Sequence, residues 1–258
     1  MKKVLALILA AVLATGMFAG CSGNDSGLKT VESGKLIMAT NATFPPYESL
    51  DDSGNIVGID VDIAQAIADK LNLELVVDNM GFNAALEAVQ KGKCDMVMAG
   101  VTVTDERKAV MDFSDSYATG VQVVIVPENS DIKTPDDLTG KKIGTQMGTT
   151  GYIYCSDTPE NGGYGEENVI GYDSGITAVQ ALLNGQIDAV VIDGEPAKSY
   201  VASNPGLKIL DTEWLTEDYA IGFAKNNTAL AEAVNNALAE LTKDGTVQNI
   251  IDKYIKAD

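Results

Sequence analysis

Lys91-Gly-Lys-Cys-Asp-Met-Val-Met-Ala-Gly100 and Asn184-Gly-Gln-Ile-Asp-Ala-Val-Val-Ile-Asp193 are one pattern written twice. Each reads as a helix end, a glycine that closes it, an aspartate and then an apolar strand. Superposed, Gly100 falls on Asp193. Outward from these segments the two halves keep the same grammar, since Gly140-Lys-Lys-Ile-Gly-Thr145 echoes Gly34-Lys-Leu-Ile-Met-Ala39. Two α/β lobes of like construction are expected. Ligands of open α/β sheets sit at the carboxyl ends of strands, where both Gly100 and Asp193 lie.

In the first lobe a strand over 34–40 runs into Asn41-Ala-Thr-Phe-Pro-Pro-Tyr47, whose two prolines forbid a helix or a central strand. Ile63, Ile67 and Leu71 place one apolar face on a helix over 61–71. A strand over 73–77, a helix over 82–90 and a strand over 94–98 follow. In the second lobe a Gly-rich loop opens a helix near Thr150. It is followed by a strand over 169–172, a helix over 176–184 with Val179, Leu182 and Leu183 inward, and a strand over 187–192. The apolar runs Gly120–Val126 and Tyr219–Ala224 cross between lobes, and helices over 229–243 and 247–255 finish the first lobe. The expected fold is α/β, two-lobed, with two hinge strands and a central cleft. Lobe 1 comprises 34–119 and 222–258 and lobe 2 comprises 120–221, with hinges at about 117–121 and 217–221.

Ala99-Gly-Val-Thr-Val-Thr-Asp-Glu-Arg107 reads as an anion clamp. Thr102 and Thr104 alternate with Val101 and Val103, so both hydroxyls face one way on extended backbone. Gly100 admits close approach of a ligand to the main chain, and Arg107 offers a planar fork suited to a carboxylate. The alternative is a Thr104 N-cap with Arg107 solvated in the first helical turn.

Lys2 and Lys3 precede an apolar run over 4–13, and small residues lead to Phe18-Ala-Gly-Cys21, the form of a secretory signal with a lipobox-like end, though with Phe18 in place of the usual leucine. Residues 1–20 are expected to be removed, Cys21 to carry lipid, and 21–33 to be a flexible tether. The chain has net charge −19. The signal carries two lysines and no acid, so the remainder is more negative still, which excludes nucleic acid as a partner. The absence of histidine removes His-based triads and His metal sites. Neither a metal nor a cofactor is expected. Cys94 and Cys155 read as core cysteines in different lobes.

Together, Ala39-Thr-Asn-Ala-Thr-Phe-Pro-Pro-Tyr-Glu48, Gly58-Ile-Asp-Val-Asp62, the Ala99–Arg107 segment, Met111-Asp-Phe-Ser114, Gly148-Thr-Thr150 and Ile192-Asp193 resemble the solute-binding proteins of ABC importers for polar amino acids. That family includes glutamine-, histidine- and lysine/arginine/ornithine-binding proteins. The resemblance implies that Arg107 grips the ligand α-carboxylate with help from Thr102, the Gly100 backbone, Thr149 and Thr150. It implies that Asp193 accepts from the α-ammonium, the alternative being an N-cap before Glu195-Pro196. Phe44 and Phe82 would wall the side chain, with Tyr47 nearby or in the core. Asn41 and Gln146 would read its distal end.

Relatives that bind cationic ligands often carry aspartate at the Asn41 position. The neutral amide therefore points to a neutral polar amino acid such as glutamine, while stacking on Phe44 and Phe82 also suits a cationic one such as arginine, lysine or histidine. The implied action is capture by lobe closure and delivery to a membrane permease, by an extracytoplasmic, lipid-anchored monomer. An enzyme of this fold such as a dehydratase, with Glu48 or Glu195 as acid, is the rival. A receptor's sensory domain is a second, and would need a transmembrane helix and a signalling module.

Overall fold

A computed structural model describes residues 28–211 and 214–256. The expected signal segment, Cys21 and the tether as far as residue 27 lie outside the described residues. The chain runs through β1 (Lys35–Thr40), β2 (Thr43–Phe44), β3 (Glu48–Leu50), β4 (Ile56–Val57), α1 (Ile59–Leu71), β5 (Glu74–Asn79), α2 (Phe82–Gln90), β6 (Met96–Val97) and α3 (Asp105–Val110). Next come β7 (Met111–Pro127), β8 (Ile143–Gln146), α4 (Thr150–Ser156), β9 (Val169–Tyr172), α5 (Gly175–Leu183), β10 (Ala189–Asp193) and α6 (Gly194–Ser203). Then follow β11 (Leu207–Ile209), β12 (Leu215–Ala224), α7 (Thr228–Lys243) and α8 (Thr246–Tyr254).

One continuous sheet runs β5-β1-β6-β12-β7-β10-β8-β9, with β11 on β7, and β2-β3-β4 form a small sheet of their own. Pairing is parallel at both ends (β1 with β5 and β6; β8 with β9 and β10) and antiparallel in the middle. The two parallel ends are the two lobes. Parallel strands need crossover helices, here α1 and α2 in one lobe and α4 and α5 in the other.

The internal repeat has a physical basis. Gly92 and Gly185 both take left-handed φ, +64° and +66°, the turn glycine makes cheaply after a helix. Each repeat's aspartate then clasps the first strand of its lobe. Ile37 N–H donates to Asp95 Oδ2 and Asp95 N–H to the Ile37 carbonyl, both at 2.8 Å. Lys142 N–H donates to Asp188 Oδ2 and Asp188 N–H to the Lys142 carbonyl, again at 2.8 Å.

The middle of the sheet departs from the expected short crossings. β7 is 17 residues long and already pairs with β12 at Met111↔Ala224, continuing to Gln122↔Leu215. Met111-Asp-Phe-Ser114 alternates apolar and polar residues, a strand signal that the expected crossing over 120–126 left out. The ladder shifts register between Tyr219 and Ala220 and between Ala220 and Gly222.

The apolar faces bury as expected at Ile63, Ile67, Leu86, Val89, Val179 and Leu182, whereas Leu71 is only partly buried. Leu183, expected inward, is 41 % exposed because it sits a further step of about 100° round α5 from Leu182. Ile59, Ile63 and Ile67 of α1 are fully buried, and the last helices pack on α1, where Lys70 reaches Glu240 at 2.9 Å and Lys253 reaches Asp62 at 2.7 Å. Cys94 sits in an apolar cluster with Ile37, Leu86 and Val97, whereas Cys155 sits in another with Val124, Ile143 and Val191. Both thiols are free and buried.

Candidate functional site

A cavity between the lobes is lined by Asn41, Phe44, Glu48, Phe82, Ala99, Gly100, Thr102, Arg107, Gln146, Thr149, Thr150 and Asp193. Of the residues expected there, only Tyr47 is not on its wall. Tyr47 stands behind Phe44, ring centroids 5.7 Å apart, and edge-on to Tyr219 at 5.1 Å. It is 2 % exposed and buttresses the aromatic wall.

Arg107 opens inward from the third position of α3. Thr104 caps that helix, accepting from Arg107 N–H at 3.2 Å, so the N-cap reading of this segment holds together with the inward guanidinium. One guanidinium nitrogen donates to the Thr102 carbonyl at 2.7 Å, and the other donates across the cleft to the Gly148 carbonyl at 3.1 Å. Its carbon lies 5.4 Å from the Phe82 ring centroid, so Phe82 carries the arginine as well as walling the cavity. Burial lowers the guanidinium below its ordinary pKa, against the pull of Glu217 and Asp193. At 8 % exposure the cation is held among carbonyls and carboxylates at a distance from bulk water.

Asp193 ends β10 at the N-cap position of α6, but its side chain makes no capping bond. It turns instead to Gln122 Nε2, which donates at 3.1 Å, and to the Tyr219 hydroxyl. Burial first, and then the charge of Glu217, push its carboxyl up to about 7.

A second group ties Asn41 to Gln146. Gln146 Nε2 donates to Asn41 Oδ1 at 2.8 Å, Thr43 Oγ1 donates to the same oxygen at 3.0 Å, and Asn41 Nδ2 donates to the Met80 carbonyl. Asn41 follows β1 and Gln146 ends β8, so this bond joins the lobes, as does the Tyr200 hydroxyl donating to the Thr43 carbonyl. Gly100, at φ +55°, lies so close to Phe44 that a Cβ there would stand 2.6 Å from the ring.

Sequence reasoning named Glu48 only as the acid of a rival enzyme and missed its pairing with Asp60, which lies behind the wall. Glu48 and Asp60 are fully buried, and Asp60 Oδ2 accepts from Gly100 N–H at 3.1 Å. Burial lifts Asp60 to about 6 against the Gly100 N–H, and burial with the charge of Asp60 holds Glu48 well above the carboxylate range. Burial and mutual repulsion therefore disfavour ionising both carboxyls, so the pair favours holding a proton. Gln122 and Glu217 were missed too. A glutamine inside the apolar run Val121–Val126 was the visible signal. The arrangement offers one cation, several carboxylates and two aromatic rings around a space sealed by cross-cleft bonds, which suits a zwitterion with a polar side chain. Among the described residues no cluster of His, Cys, Asp or Glu is built to hold a metal, and no helix is long and apolar enough to cross a membrane.

Residues 36–257 match the family described as bacterial extracellular solute-binding proteins, family 3. A probable histidine-binding protein of Neisseria gonorrhoeae is 34 % identical, over 98 % of this chain and 96 % of its own length. The ABC transporter arginine-binding protein 1 of Escherichia coli K12 is 34 % identical over 98 % and 99 %. The solved structure of the arginine-, lysine-, histidine-binding protein ArtJ of Geobacillus stearothermophilus superposes with a TM-score of 0.81 at 32 % identity, covering 87 % of this chain and 96 % of that one.

Proposed function

The chain belongs to the bacterial extracellular solute-binding proteins of family 3, and from that premise we propose that it captures a polar L-α-amino acid with a cationic side chain by closing its two lobes on it. It is an amino acid-binding component of an ABC transporter and not an enzyme. The observation that carries the finer reading is that Arg107, from one lobe, and Asp193, from the other, are both buried on the wall of one cavity. A buried charge needs a partner, and the carboxylate and ammonium of an amino acid supply one for each. Behind the wall residue Glu48 lies the buried carboxyl of Asp60, and the acidic character of this pair favours a cationic side chain over an anionic one. The relatives named for arginine and histidine support this choice.

A neutral ligand such as glutamine is the second reading, supported by the facing amides of Asn41 and Gln146, which donate and accept without charge. Closure runs about β7 and β12 near 117–121 and 217–221, moving 120–221 against 34–119 and 222–258. Residues 1–20 are the signal, and lipid on Cys21 holds a monomer outside the cytoplasmic membrane for its permease. Fatty-acid labelling of the expressed protein, compared with Cys21→Ser, tests the anchor.

The ligand is identified by a thermal-shift screen of the anchor-free protein, unfolded and refolded to strip carried ligand, against the twenty amino acids and ornithine and cystine. A shift confined to arginine, lysine, ornithine or histidine, and absent in Arg107→Ala and Asp193→Ala, supports the cationic reading. A shift with glutamine alone favours the second, and no shift with any amino acid overturns both.

A further inference from the structure

Glu217 lies on β12, between the lobes, and is 4 % exposed. It is absent from the cavity wall, yet three side chains around the cavity converge on one of its oxygens. Thr102 Oγ1 of the first lobe donates to Oε2 at 3.1 Å, Thr150 Oγ1 of the second donates at 2.9 Å, and Gln122 Nε2 of β7 donates at 3.1 Å. The same Gln122 nitrogen donates to Asp193 Oδ2 at 3.1 Å, so Glu217 and Asp193 belong to one network. Glu217 Oε1 has no hydrogen-bond partner among the described residues.

A carboxylate only accepts, and a threonine hydroxyl has a single proton. The protons of these two bonds therefore belong to Thr102 and Thr150, and both point away from the cavity. What each hydroxyl has left to offer the cavity is acceptor capacity, its lone pairs. Thr102 and Thr150 were expected to help bind the ligand carboxylate, a role that asks a hydroxyl to donate. The observed polarity suits a donor, and the donor on an amino acid beside Asp193 is its ammonium. Each bond is charge-assisted, and one comes from each lobe, so the pair exists only while the lobes are closed.

We propose that Glu217 is a positioning residue for amino acid binding, fixing the Thr102 and Thr150 hydroxyls as acceptors for the ligand ammonium and linking that polarity to lobe closure. The inference rests on the amino acid-binding reading above. It gives a hinge residue that touches no ligand a defined effect on which ligand group is recognised.

The test compares L-arginine with 5-guanidinopentanoic acid, the same molecule without its α-ammonium, in wild type, Glu217→Gln and Thr102→Val/Thr150→Val by calorimetry. If glutamine is the ligand, the pair is L-glutamine and glutaramic acid. Glu217→Gln is expected to weaken the amino acid at least tenfold and the des-amino acid by less than threefold. Adding both threonine substitutions to Glu217→Gln should cost little more. Equal weakening of both probes, or additive losses, would reduce Glu217 to a structural part and overturn the proposal. Should Glu217→Gln fail to fold, the threonine double variant alone must show the same collapse of discrimination. Small-angle scattering of the ligand-free proteins needs no ligand. A larger radius of gyration in Glu217→Gln than in wild type is expected, and an equal one overturns the closure link even if no amino acid binds and the functional reading has failed.

Discussion

The Tyr219 hydroxyl donates to Asp193 Oδ1 directly over the α-carbon of Gly120, so a residue of each hinge strand meets the carboxylate at the end of β10. Asp193 is thereby held away from its own helix and toward the cavity.

Affinity for an ammonium-bearing ligand should depend on pH through this carboxylate. Its surroundings are Tyr219, Gln122, Glu217, Arg107 and Tyr47, and burial pushes it up to about 7. The ammonium binds the ionised form, so affinity should be constant well above pH 7 and fall by up to about tenfold per unit below it. Calorimetry in buffers of different ionisation enthalpy should show a proton released on binding at pH 6. A flat profile from pH 5 to 8 would refute this.

Gly120→Ala should abolish most binding without touching the ligand. A Cβ there would stand 2.7 Å from Asp193 Oδ1 and collide with the Tyr219 hydroxyl. Displacing that pair should cost about 1–3 kcal/mol of stability and at least tenfold in affinity. Chemical denaturation and titration calorimetry measure the two effects.

Arg107→Lys should fail as a conservative change. The guanidinium reaches the Thr102 and Gly148 carbonyls at once while resting on Phe82, a geometry an ammonium does not reproduce. A loss of about 30-fold or more in affinity is expected, on the order of 2 kcal/mol or more, comparable to truncating a buried charge partner. Near-wild-type binding by the lysine variant would show that only charge matters.

Glu48→Gln should change how stability depends on pH. Glu48 and Asp60 hold protons more tightly folded than unfolded, so their contribution is complete below about pH 4 and is lost as pH rises through the folded values, about 6 for Asp60. Glutamine is neutral throughout and removes the Glu48 part. The melting temperature of wild type should fall more steeply from pH 4 to 8 than that of the variant. Parallel curves would show that the acid pair does not titrate in that range.

Cys94 and Cys155 should be unreactive in the folded protein. Burial pushes both thiols up to about 12, and they lie in separate apolar clusters. In protein lacking Cys21, a thiol reagent should find no rapid site under native conditions and two after denaturation. A single intramolecular disulfide found by mass spectrometry would contradict the placement.

The sequence alone determined what is local and repeated. The helix-glycine-aspartate-strand pattern set two like lobes because φ-positive glycines and strand-clasping aspartates act within one supersecondary unit, and apolar periodicity located α1, α2 and α5. Asp193 was legible as a polar side chain at a strand end, where open sheets bind ligands, and Arg107 as the guanidinium closing a Gly-Val-Thr-Val-Thr segment, whereas the role of Asn41 came from the family resemblance. Only the tertiary structure decided how those residues are used. Tyr47 went behind Phe44 because its ring fills a core position against Tyr219, which no spacing in the chain distinguishes from a wall position. Glu217 meets Thr102, Gln122 and Thr150 across 115, 95 and 67 residues, and such bonds depend on the register of β12 against β7. The direction of a hydroxyl proton is set by the acceptor that reaches it, so the polarity of this cavity belongs to the closed arrangement of two lobes and a hinge.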